Sequence, residues 1–181
     1  IVCSMPQEEE YATTELVIPH FLWSNRGPKD LASKHHRFEG KPVVASETIG
    51  ETLILYPNGS SYFKAADTSE YEYTEIKNQL WQELSSLMPE GYKVFGESLE
   101  HINSGSPDLM INSVWDNNVM LSYSETVEWV NSLNLDNTEL APLIFRGTWD
   151  DLEIRKAWSP NGKYGRSNGY IVRLEDSIES K

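Results

Sequence analysis

Sulfur and positive charge are what this chain has least of. Its one cysteine, Cys3, cannot form an internal disulfide, and no neighbouring group would lower its pKa. That usage fits a reducing compartment, so a cytoplasmic protein is expected. Fifteen Lys and Arg stand against 28 Asp and Glu, a formal net charge of −13. A surface of that sign excludes a general binder of the phosphate backbone. It leaves room for a local basic cleft drawn from Lys34, Arg37, Lys41, Lys64, Lys163, Arg166 and Arg173. No apolar run approaches the ~20 residues that cross a bilayer, so no membrane association is expected. Residues 1–7 lack the basic flank and apolar stretch of a signal peptide. The phosphate loop Gly-x-x-x-x-Gly-Lys-Ser/Thr is absent, and so is the Gly-x-Ser-x-Gly elbow of serine hydrolases. His35-His36 has no third ligand at useful spacing and reads as a surface pair rather than a metal site.

What is present suffices for one globular domain. The chain has 181 residues, of which 39% are hydrophobic, enough to bury a core. Residues 1–16, with Glu8-Glu9-Glu10, read as a flexible acidic arm, and 17–181 as a single domain. Residues 42–56 read as two strands around a bend at Gly50, followed by a turn at 57–60 and a strand over 61–65. Tyr73, Ile76, Leu80, Leu84 and Leu87 recur at helical spacing, which predicts a helix over 70–88 stopped by Pro89-Glu90-Gly91. Strands are expected over 92–99, 109–115, 119–121, 143–146 and 170–174. Ser122 and Glu125 stand three apart, as in a capping box, and open a helix to about Leu133 with Val127, Val130 and Leu133 inward. Thr148 and Asp151 suggest a second capped helix to about Trp158, and 159–169 reads as a loop. Strands alternating irregularly with a few helices make the fold class α+β.

Several segments, in order, carry a resemblance. They are Pro19-His20-Phe21-Leu22-Trp23-Ser24, then Phe38-Glu39-Gly40-Lys41-Pro42-Val43-Val44, then Glu47-Thr48-Ile49-Gly50. Gly91-Tyr92-Lys93-Val94-Phe95-Gly96-Glu97 follows, with Ser113-Val114-Trp115-Asp116, Phe145-Arg146-Gly147-Thr148-Trp149-Asp150 and Gly169-Tyr170-Ile171-Val172-Arg173. Their order and spacing resemble the ATP-dependent RNA ligases of the covalent nucleotidyltransferase superfamily, over about residues 18 to 176. The resemblance implies an adenylation domain of mainly antiparallel sheets flanked by a few helices. It implies a lysine that takes AMP from ATP, with Mg²⁺, then passes it to an RNA 5′-phosphate for displacement by a 3′-hydroxyl.

Carried over by position, Glu47 is an adenine contact and Lys64 a ribose or phosphate contact. Glu97 is a ribose contact and metal ligand, and Arg173 closes the fourth motif. Each has a plainer reading. Glu47 and Lys64 suit a solvated strand surface, whereas Glu97 and Arg173 sit in apolar strands where a charge is costly without a partner. The departures from the family are specific. No lysine stands between Glu47 and Gly50, and one residue inserted between Glu47 and Thr48 would restore the family spacing. Asn168 replaces a glutamate, and the final lysine-bearing strand has no counterpart before Lys181.

Three readings follow. The first is a catalytically impaired domain, a pseudoenzyme, that still binds ATP or AMP and RNA ends in an RNA-repair setting. The second is an active ligase whose lysine lies between Glu47 and Thr48 or is supplied by Lys41 or Lys64. The third is a protein-interaction scaffold of the same fold, consistent with the acidic balance.

Overall fold

Two antiparallel sheets carry the chain in its computed structural model, which describes residues 22–24, 38–49, 51–64, 72–100, 105–167 and 169–179. The acidic arm, Pro19-His20, His35-His36, Gly50 and Asn168 lie outside the described residues, as do the side chains of 22–24, Glu51 and Lys64. In chain order the strands are β1 (Leu22–Ser24), β2 (Pro42–Thr48), β3 (Glu51–Leu55), β4 (Ser60–Lys64) and β5 (Glu72–Glu75). Helix α1 (Gln79–Leu87) precedes β6 (Tyr92–Ser98), β7 (Leu109–Asp116) and β8 (Val119–Met120). Helix α2 (Tyr123–Leu133), β9 (Thr138–Leu140), β10 (Leu143–Thr148) and helix α3 (Asp151–Ala157) come next. The described chain closes with β11 (Asn161–Gly162), β12 (Gly165–Arg166), β13 (Gly169–Leu174) and β14 (Ile178–Glu179).

The smaller sheet has the order β1-β13-β2-β10. The larger runs β14-β8-β7-β6-β3-β4-β5, with β9 joined in parallel to the start of β7. β11 and β12 form a separate two-stranded ribbon. The architecture is α+β and mostly antiparallel, as the sequence pattern implies. Among the described residues no helix is long and apolar enough to cross a membrane.

Register decides which side chains share a face. On the larger sheet, Leu53, Leu55, Val94, Leu109, Ile111 and Val114 form the main core with Trp81 and Leu84 of α1 and Val130 of α2. The other face carries Ile54, Tyr62, Phe95, Trp115 and Met120. β7 serves both faces through a bulge. Phe95 pairs with Ser113 but Gly96 with Ile111, so Asn112 is the extra residue and the alternation resets there. Gly96 is required at this point, because a Cβ would lie 2.2 Å from the Met110 carbonyl oxygen. On the smaller sheet Val43, Ala45, Tyr170, Val172 and Leu174 pack on Phe38 and on Ile154 of α3.

The helix expected over 70–88 is shorter. Residues 72–75 are the exposed edge strand β5, where Tyr73 lies opposite Tyr62 with ring centroids 5.6 Å apart. The Tyr73–Ile76–Leu80 spacing imitated a helix, but Asn78 sets the start: its side chain accepts the Trp81 N–H at 3.1 Å. Leu87 is 49% exposed, so the buried stripe is Trp81 and Leu84. The Ser122–Glu125 capping box of α2 forms with both bonds at 3.1 Å. Its fully buried face is Tyr123, Thr126 and Val130; Val127 and Leu133 are half-buried. α3 is capped by Asp150, whose carboxylate accepts the Glu153 N–H at 3.1 Å, rather than by Thr148. The stretch 159–169 holds the ribbon β11–β12. The two-residue and three-residue strands β14 and β9 carry too little pattern to have been anticipated.

Candidate functional site

β2 and β13 pair through six consecutive residues, from Val43 opposite Leu174 to Thr48 opposite Gly169. The register is continuous across the Glu47–Thr48 junction. Glu47 lies opposite Tyr170, on the face of Val43, Ala45 and Val172. Arg173 lies opposite Val44, on the face of Ser46 and Ile171. Glu47 and Arg173 therefore occupy opposite faces of one sheet.

Glu97 on β6 is 0% exposed, and its Oε2 accepts the Ile49 N–H at 2.8 Å. The carboxylate thus ties the larger sheet to the residue that follows β2. Lys64 pairs with Thr52, Thr52 with Glu97, and Glu97 with Met110, so these four backbone positions form one row across β4, β3, β6 and β7. Neighbouring strands lie about 4.8 Å apart, which sets the Lys64 and Glu97 backbones roughly 10 Å apart. Beside Glu97, Ile49 and Tyr164 pack on Leu99, Met110 and Ala141.

Glu47 is 8% exposed and faces the ribbon. Its Oε2 accepts the Lys163 backbone N–H at 3.2 Å. Gly162 makes that approach feasible, since a Cβ there would lie 2.9 Å from the same oxygen and 3.0 Å from the Gly165 carbonyl. At the ribbon's turn the Tyr164 hydroxyl donates to the Glu139 carboxylate, and the Lys163 ammonium sits 5.2 Å from the centroid of the Tyr164 ring. The hydrogen bond with Tyr164, then its charge, raises the Lys163 pKa, with Glu139 and Glu47 adding to it and partial burial opposing. Burial first, then the bond to Glu139, raises the Tyr164 pKa, against Lys163. Ser167 anchors the ribbon's base. Its Oγ accepts the Trp158 Nε1–H at 2.8 Å and lies 3.0 and 2.9 Å from the carbonyls of Thr48 and Gly169, between which its proton is shared.

Arg173 stands apart from this end. It is 3% exposed; its Nε donates to the Leu174 carbonyl at 2.8 Å and its Nη2 to the Leu121 carbonyl at 2.6 Å. Burial pulls its pKa well below the ordinary guanidinium value, to about 10, with Tyr123 and Glu175 opposing. It lies four residues along β13 from the Thr48–Gly169 pair, roughly 13 Å at 3.3 Å per residue. Its position fastens the smaller sheet to the link between β8 and α2. The structure thus brings Glu47 and Glu97 to the end of β2, sets Lys64 in the Glu97 row, and leaves Arg173 outside the group.

Sequence reading missed Lys163 as the residue bound to Glu47, and missed Tyr164, Glu139 and Ser167 altogether. The available signal was Gly162-Lys163-Tyr164-Gly165, two glycines bracketing a two-residue turn. Among the described residues no group of three or more His, Cys, Asp or Glu is placed to hold a metal ion.

Solved structures share the fold. The chain matches a mutant RNA ligase of Naegleria gruberi, apo, with a TM-score of 0.52 at 14% identity, over 83% of this chain and 52% of that one. A second mutant of that ligase, with ATP and Mn, matches with a TM-score of 0.50 at 14% identity, over 82% and 52%. The fold is RNA ligase-like. The chain spans about half the length of those ligases, and likeness at this identity concerns the fold alone. The sequence matches no protein-family profile and no curated protein. Within the RNA ligase-like fold, the end of β2 with Glu97 is where the polar groups converge.

Proposed function

We propose that the chain is an RNA ligase-like nucleotidyltransferase domain that binds ATP or AMP and RNA ends without forming a covalent lysyl-adenylate. The observation that carries this reading is Glu97. A fully buried carboxylate costs stability unless it is hydrogen-bonded or used, and buried ionisable groups concentrate at functional sites. Glu97 sits where the family resemblance puts a ribose contact, and it touches Ile49, close after the Glu47–Thr48 junction at which the resemblance would place the nucleotidyl lysine.

In this reading Glu97 and Lys64 address the nucleotide from the larger sheet, and Glu47 holds the ribbon at the mouth. Glu97 is fully buried, so access to it requires the residues around it to shift; half-buried Tyr164, packed on the same cluster as Ile49, is the candidate to move. Mg²⁺ commonly takes one or two protein carboxylates together with phosphate oxygens and waters. Glu97 suits the single-carboxylate role, with the ion arriving on the nucleotide. Arg173 then braces the sheets instead of contacting phosphate.

Calorimetry with ATP and Mg²⁺, followed by intact-mass measurement, tests the reading. Saturable heat with unchanged mass is the expected result. A mass increase of one AMP would instead mean an active ligase with a lysine supplied elsewhere. No binding of either ATP or 5′-phosphate RNA would mean a scaffold for a protein partner.

A further inference from the structure

Between Glu153 and Glu175 the chain carries no acid. Residues 154–174 hold five of the 15 Lys and Arg and not one of the 28 Asp and Glu, where the average would give about three. Three of these cations are accounted for. Arg155 Nε lies 3.0 Å from both oxygens of Asp151, Lys156 lies 3.9 Å from Glu153, and Arg173 is buried. Lys163 and Arg166 are the other two, both exposed at the ribbon, and Lys163 already rests on Tyr164. The Arg166 side chain has no hydrogen bond or ion pair among the described residues. It lines an open concavity of about 510 Å³ with Pro160, Asn161, Gly162 and Gly165.

The ribbon is held in place by two contacts. Glu47 grips the Lys163 N–H, and Ser167 N–H donates to the Pro160 carbonyl at 2.9 Å. An exposed guanidinium on a braced ribbon has less freedom to lose on binding than one on a loose loop. Asn161 pairs with Arg166 and Gly162 with Gly165, so by alternation Arg166 lies on the ribbon face opposite the one on which Gly162 meets Glu47, and that is the face open to an anion.

We propose that the ribbon β11–β12 is a phosphate clasp for an RNA strand, with Arg166 as the main contact and Lys163 as a second cation. The guanidinium fork matches phosphate oxygens bidentately, and Arg166 is not committed elsewhere. The ribbon's turn, at Tyr164, packs on the same small cluster as Ile49, whose N–H Glu97 accepts, whereas Pro160 and Arg166 lie at its base. A strand whose end reaches Glu97 would therefore run past Arg166. This inference rests on the nucleotide- and RNA-binding reading above and assigns the RNA part of it to one element.

The test measures binding of a short 5′-phosphorylated single-stranded RNA by fluorescence anisotropy over a salt series, with ATP binding by calorimetry in parallel. The wild type is compared with Arg166→Ala and Arg166→Glu, all checked by circular dichroism. We expect a several-fold weaker RNA affinity for Arg166→Ala and a larger loss for Arg166→Glu. The salt slope should become shallower by about 0.7 for one lost single-strand phosphate contact, with ATP affinity unchanged. RNA affinity unchanged in Arg166→Glu would overturn the clasp. So would an equal loss for ATP and RNA, which would make the ribbon a nucleotide contact. A wild type that binds ATP but not RNA refutes the clasp and the RNA part of the function proposed above; one that binds neither refutes its nucleotide part as well.

Discussion

The Glu97 carboxylate accepts the Ile49 N–H at 2.8 Å, and through that bond a strand of the larger sheet holds the chain just beyond β2. Two residues earlier, Glu47 turns to the ribbon and accepts the Lys163 N–H. One short run of backbone thus lies between two carboxylates with different tasks.

Glu97→Gln separates stability from function. The amide oxygen still accepts the Ile49 N–H while a buried charge is removed, so stability measured by urea unfolding should stay within about 1 kcal/mol or rise. ATP affinity should fall. Glu97→Ala should cost about 2 kcal/mol more than the Gln variant, because it strands the Ile49 N–H. A Gln variant that is strongly destabilised yet binds ATP normally would make Glu97 a purely structural residue.

Ser167→Ala removes the acceptor of the Trp158 indole N–H and the donor to Thr48 and Gly169. Leaving these buried groups unpaired should cost about 2–3 kcal/mol in urea unfolding. Hydrogen exchange should rise first in 159–169, since Ser167 anchors the ribbon's base. A uniform rise across the chain would contradict that local role.

Gly96→Ala should be among the most destabilising single changes. Its Cβ would meet the Met110 carbonyl oxygen at 2.2 Å, and the bulge at Asn112 leaves the strand pair no simple way to part. A loss of about 3 kcal/mol or more is expected, read as a fall in urea midpoint or as failure to accumulate folded protein.

Arg173 sets a pH dependence at the alkaline end. Burial holds its folded pKa at about 10, well below the ordinary guanidinium value. With the folded value depressed, its stabilising contribution is present above the unfolded pKa and lost as pH falls through the folded one. The stability of wild type relative to Arg173→Met should therefore improve as pH rises from about 9 to about 11.5. A flat difference would mean that the guanidinium is better solvated than its 3% exposure implies.

How much of this was legible in the sequence differs by element. The Ser122–Glu125 box was readable because both partners of its hydrogen bonds are local. The strand 72–75 was not, because Tyr73 happens to keep helical phase with Ile76 while its pairing partner Tyr62 lies on another strand. Glu97 was readable as a costly buried carboxylate. Its bond to Ile49 spans 48 residues and had no local trace. Arg173 was readable as buried, but the side it faces depends on the β2–β13 register. The Glu47–Lys163 contact, 116 residues apart, likewise belongs to tertiary structure alone.

The most direct measurement is equilibrium binding of ATP with Mg²⁺ to the wild type and to Glu97→Ala, with intact mass recorded at saturation. The account predicts saturable binding by the wild type, marked weakening in Glu97→Ala while that variant remains folded, and no covalent AMP on either. No wild-type binding at millimolar ATP, or binding indifferent to Glu97, would contradict it.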